Sequence, residues 1–137
     1  MKKIILGILT IFVFLTNNST ASEVEVVIKG EHMSELMVES GFTVKTTRTG
    51  YLREGENESF SITLYSGNTY AFMGYGDKHI SDLDVKIYDE DWELVKEDKK
   101  SDEDTFIGFT PKWSGKFYVV TTAYIGSGYW GQVIGWF

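Results

Sequence analysis

The sequence predicts a mainly β protein, a jelly-roll-like antiparallel β-sandwich with a short N-terminal helix. Three observations carry this. From Phe42 onward, short apolar–polar alternations of period two recur between turn signals, as strands buried on one face require. Aromatic residues make up 15% of the chain and β-branched residues are dense beside them, a composition that suits pleated sheets better than helix bundles. Fourteen glycines against a single proline, Pro111, leave many turns and few rigid stops.

The first residues stand apart from that pattern. Lys2 and Lys3 precede an uncharged run, Ile4 to Leu15, then the polar TNNSTA with small residues at Ser19 and Ala21. Basic, apolar and small-residue regions in that order predict an export signal over 1–21, since the apolar run falls short of the roughly 20 residues of a membrane span. A periplasmic or secreted location is expected, with no membrane attachment after cleavage. Without Lys2 and Lys3 the net charge goes from −7 to −9, which argues against nucleic acid as a partner, because that affinity rests on basic side chains neutralising phosphate. There is no cysteine, so no disulfide supports the fold.

Residues 22–41 predict a helical segment. Met33, Leu36, Met37 and Ser40 share a helical face and Gly41 suits the position after a helix end, so a helix is expected over at least Met33–Ser40. Glu23 to His32 fit helix or strand, and Lys29-Gly30 interrupts either pattern.

Residues 42–137 then read as the sandwich. Phe42, Val44 and Thr46 alternate up to a turn expected at Thr49-Gly50, and Arg53–Glu58 form a polar loop. Phe60, Ile62 and Leu64 share one face of the next strand, and Ser66-Gly67-Asn68 has the composition of a hairpin turn. Tyr70 and Phe72 continue into the next strand. Leu83, Val85 and Ile87 alternate with Asp82, Asp84, Lys86 and Tyr88, which puts the apolar trio inward and the aspartates on the other face. Asp89-Glu90-Asp91 turns toward Leu94 and Val95, and Glu97–Asp104 is a charged, solubilising loop. Ile107 and Phe109 oppose Phe106, Pro111 stops that strand, and strands over Lys116–Ala123 and Tyr129–Phe137 complete the chain. Trp130 and Trp136, six apart, share a face.

Three motifs in order carry a resemblance. They are Gly67-x-x-Tyr70-Ala71-Phe72-x-Gly74; Asp77-x-x-x-Ser81-Asp82-Leu83-Asp84-Val85-x-Ile87-Tyr88-Asp89 with Leu94-Val95-x-Glu97-Asp98; and Phe109-x-Pro111-x-x-Ser114-Gly115-x-Phe117-Tyr118-Val119. Over roughly Gly50 to Phe137 the chain resembles the bacterial pre-peptidase C-terminal domain and its stand-alone secreted relatives. The resemblance implies an exported, non-catalytic sandwich, some of whose relatives bind calcium or a polymer such as collagen or polysaccharide. Stand-alone relatives often carry a cysteine pair in the loop before Ser81-Asp82-Leu83-Asp84, at places that correspond to Gly76 and Ile80 in this chain.

Candidate sites follow from residue chemistry. Calcium takes six to eight oxygen ligands, and Asp77, Asp82, Asp84 and Asp104 are the carboxylates placed to offer them, with Asp102 beside them. A solvated strand face with aspartates bonding loop amides is the competing reading. His79 lies near Asp77 in sequence but has no second histidine beside it, and His32 reads as a surface residue, so neither makes a zinc site. Ser127 and Ser66 lack the surroundings of a nucleophile, which leaves a small hydrolase as the weakest function. Trp92, in the turn after Tyr88, is the best placed aromatic to meet a ligand. The function expected is an exported binding module for a polysaccharide or an exported protein, with a structural or inhibitory partner of an exported enzyme as the alternative.

Overall fold

A computed structural model describes residues 21–98 and 100–137. The predicted export segment lies outside these residues apart from Ala21. The elements are α1 (Ala21–Glu39), β1 (Thr43–Leu52), β2 (Asn57–Leu64), β3 (Tyr70–Gly76), β4 (Asp82–Tyr88), β5 (Leu94–Glu97), β6 (Asp104–Phe109), β7 (Gly115–Ile125) and β8 (Gly128–Trp136). They form two four-stranded antiparallel sheets, β1-β8-β3-β6 and β2-β7-β4-β5, packed as a sandwich.

Among consecutive strands only β4 and β5 pair with each other; every other connection crosses from one sheet to the other. The expected hairpin at Ser66–Asn68 is therefore a crossover, because β2 pairs with β7 while β3 pairs with β6 and β8. The turn itself is real, with Gly67 at φ 87°, but local composition does not encode which sheet the next strand joins. Thr49-Gly50 also departs from expectation, since β1 runs straight through it. A Cβ at Gly50 would lie 2.9 Å from the Trp130 indole nitrogen, so this glycine admits a large neighbour and the turn falls later, at Gly55 with φ 85°.

The alternation sets the core. Ile62, Leu64, Tyr70, Phe72, Val85 and Ile87 meet Phe117, Val119 and Ile134 between the sheets. Leu52, Ile80, Leu83, Ala123 and Trp130 fill the far end. Trp136 keeps the parity of Trp130 but sits where the strand runs out, and it is 41% exposed against 1%.

The helix is longer than expected and covers the outer face of the first sheet. Val26, Met33 and Met37 pack on Ala71, Met73, Tyr75 and Val133, which the two-residue period of β3 and β8 turns away from the sandwich interior. Gly30 falls on this same helical stripe, and a Cβ there would collide with the Tyr75 hydroxyl, so the glycine that looked like an interruption is a point of close approach. Burial there pushes the Tyr75 phenol up to about 12. The helix ends in a Schellman arrangement: Gly41 N–H donates to Val38 O and Phe42 N–H to Met37 O, both at 3.0 Å, with Gly41 at φ 91°.

Candidate binding surface

The β4–β5 turn is built around one aspartate. Asp89 Oδ1 accepts the N–H groups of Asp91 and Glu93, both at 2.9 Å, and its carbonyl accepts Trp92 N–H at 3.0 Å. This holds Trp92 at φ 60°, the one non-glycine residue with positive φ among those described, and an unfavourable conformation for a bulky side chain. The indole then lies flat on Tyr118, 3.9 Å between centroids with the planes 9° apart, and meets Tyr88 at 5.7 Å. Tyr88 and Tyr118 are register partners on the outer face of the second sheet. The Lys116 ammonium lies 5.5 Å from the Tyr118 ring centre. One face of Trp92 is thus taken by Tyr118, and the residue remains 51% exposed.

The strand registers place other aromatics at the same end of the sandwich. Leu64 pairs with Gly115, Tyr88 with Tyr118, and both Thr43 and Tyr70 with Trp136. That end therefore carries Tyr65, Trp92, Trp113, Trp136 and Phe137, all exposed. Its loops are tied together: Ser114 Oγ accepts Ser66 N–H at 2.9 Å, the Thr69 and Thr110 hydroxyls are 3.0 Å apart, and Thr69 and Phe137 exchange backbone hydrogen bonds. Trp113 caps the core by stacking on Phe117, and it borders a groove of about 540 Å³ with Val95, Lys96, Phe109 and Lys112.

The carboxylates expected as a calcium set occupy different places. Asp77 is fully buried, with Oδ1 accepting His79 N–H and Oδ2 accepting Tyr129 N–H, each at 2.9 Å. Asp104 lies 3.9 Å from Lys29 of the helix, whose ammonium also donates to Gly76 O. Burial raises the Asp104 pKa and Asp102 adds to the rise, against the pull of Lys29. Only Asp82 and Asp84 adjoin, and Asp82 buries Oδ1 without a hydrogen bond. Among the described residues no group of three or more His, Cys, Asp or Glu side chains is placed to hold a metal ion. The Glu97–Asp104 loop is more than solvated charge. Asp98 is 8% exposed, and its carboxylate accepts Lys100 N–H and Phe106 N–H, each at 2.8 Å. The place of Asp98 at the end of the second motif was the only sequence signal for that role. Ser127 Oγ accepts Glu54 N–H at 2.8 Å in a loop contact.

The Asp82–Asp84 pair has a consequence for pH. Burial first, then the negative charge of Asp82 and a hydrogen bond to it, raise the Asp84 pKa above the ordinary 3.8, with Lys86 opposing. A carboxyl raised in the folded state binds more protons there than in the unfolded chain. Its stabilising contribution is full below 3.8 and is lost as pH rises through the folded value. Asp84→Asn is expected to be more stable than the parent at neutral pH and to lose this advantage in acid. Denaturant unfolding of both proteins across that range checks it, and parallel curves would contradict it.

No protein-family profile and no curated protein sequence matches the chain. Solved structures do match in fold. The pre-peptidase C-terminal domain of a collagenase from Bacillus anthracis is 17% identical, with a TM-score of 0.54 over 66% of this chain and 89% of that domain. Aeromonas hydrophila PliG, a periplasmic inhibitor of g-type lysozyme, is 10% identical, with a TM-score of 0.51 over 72% of this chain and 90% of the inhibitor. The chain has the fold of a pre-peptidase C-terminal domain, as the motifs implied. Among the described residues no helix is long and apolar enough to cross a membrane.

Proposed function

We propose that this chain is an exported, non-catalytic binding module whose contact surface is the aromatic end of the sandwich. One observation carries the reading: Trp92, Trp113 and Trp136 are each about half exposed at that end, while Trp130 is buried at the other. Exposed tryptophans gathered in one place mark contact surfaces, because such rings bury much apolar area at little entropic cost. The strained backbone of Trp92 supports the same reading, since strain persists where the surroundings impose it and clusters at functional sites. A periplasmic inhibitor of g-type lysozyme shares the fold, which supports an exported enzyme as the partner ahead of a polysaccharide.

The test titrates residues 22–137 with g-type lysozyme and other exported hydrolases, and with soluble polysaccharides, following the four indole N–H signals by NMR. Binding is expected to move Trp92, Trp113 and Trp136 and to leave Trp130 in place. Trp92→Gly removes the ring at a backbone conformation glycine adopts freely. It is expected to weaken binding by about thirtyfold or more, as loss of an interface anchor does. Binding that persists unchanged in both Trp92→Gly and Trp113→Ala would sink the proposal.

A further inference from the structure

Beyond locating the contact surface, the turn that carries Trp92 specifies the chemistry of what sits on it; this inference rests on the reading above. Residues 89–93 include four carboxylates. That of Asp89 is turned inward onto the amides of Asp91 and Glu93. Glu90, Asp91 and Glu93 are exposed, and their side chains have no ion-pair partner among the described residues. Three carboxylates without an ion-pair partner thus neighbour Trp92 along the turn, and its ring, stacked on Tyr118 by one face, belongs to a residue that is 51% exposed. The aromatic stack already holds a cation on its strand side, where Lys116 sits by Tyr118, and Arg48 lies 4.0 Å over the Phe60 ring at another edge.

We infer that the outer face of Trp92 receives a cationic side chain, an arginine or lysine presented by a basic protein surface, with Glu90, Asp91 and Glu93 supplying the counter-charge. A cation over an indole is drawn to the ring's negative face, and arginine also stacks flat on it. Carboxylates around the ring strengthen that attraction and speed the encounter of oppositely charged surfaces. A neutral sugar would cover the ring and leave the three charges unanswered. An anionic polymer would meet repulsion both there and from the chain's net charge of −7.

A short peptide containing two arginines serves as the probe, with the same peptide carrying citrulline in their place, and chitotetraose as a separate arm. Each is titrated into residues 22–137 while the Trp92 indole signal is followed. The arginine peptide is expected to shift Trp92 and the citrulline peptide to bind at least fivefold more weakly. Raising salt from about 20 mM to about 500 mM, or the triple change Glu90→Gln, Asp91→Asn, Glu93→Gln, is expected to weaken the arginine peptide by a similar factor. These three sites are exposed, so the triple variant keeps the fold. Equal binding of the two peptides, indifference to the triple change, or a Trp92 response to chitotetraose alone would each overturn the inference. An exported protein bound through Trp92 with no dependence on these charges would overturn it too, while the aromatic end would remain the contact surface.

Discussion

Asp77→Ala is expected to lower stability by about 3 kcal/mol, or roughly 10 °C in melting temperature for a chain of this size. The carboxylate is fully buried and accepts two backbone amides, from His79 within its own loop and from Tyr129 at the start of β8. The Asp77 N–H in turn donates to Tyr129 O, so a single residue joins the β3–β4 loop to β8. Gly128 makes the arrangement possible, since a Cβ there would collide with the carboxyl oxygens. Removing the carboxylate strands two amides with no replacement acceptor. Asp77→Asn keeps the shape but sets an NH₂ against a donor, so an intermediate loss is expected. The same experiment separates bracing from ion binding: chelator and added Ca²⁺ are expected to leave the wild-type midpoint within about a degree. A wild-type midpoint that falls with chelator would mean that the loop is held by an ion instead.

The contrast between Asp77 and Trp92 locates what a single sequence discloses. Period-two alternation identified Leu83, Val85 and Ile87 as core, and all three are fully buried. Trp92 was legible because it lies in the acidic turn after Tyr88, outside the alternating strand residues. Its platform was not, because Tyr88 and Tyr118 are thirty positions apart and meet only through the β4–β7 register. Asp77, Asp82, Asp84 and Asp104 looked like one set because they are close along the chain or share a face. Amides and a helical lysine claim two of them, and neither type of partner leaves a mark beside an aspartate. Gly30 and Gly50 misled for a related reason. A glycine serving close approach and a glycine serving a turn are the same letter, and only the neighbours Tyr75 and Trp130 distinguish them.

The helix shows the same limit at the scale of the domain, and its removal has the largest effect expected. A boundary at Phe42 separates helix from sandwich on secondary structure alone, yet the first sheet is apolar on both faces. Val133 is fully buried, and Ala71 and Tyr75 are 2% and 1% exposed, under the helix rather than inside the sandwich. Deleting residues 21–40 would return these side chains to water and discard Val26 and Met37, each 2% exposed. At about 1.5–3 kcal/mol for each large side chain fully buried, the loss is on the order of 5 kcal/mol or more, comparable with the whole stability of many small domains. The shortened chain is expected to unfold or associate through the bared sheet face. A point substitution asks the same question without truncation. A Cβ at Gly135 would meet the Met37 sulfur and the Thr43 carbonyl, so Gly135→Val is expected to wedge the helix from β8 and expose the Tyr75 phenol. Spectroscopic titration of that phenol then reads the undocking directly, as a fall from about 12 toward the ordinary 10.0. A shortened chain that melts cooperatively within a few degrees of the full one would show instead that the sandwich stands without its helix.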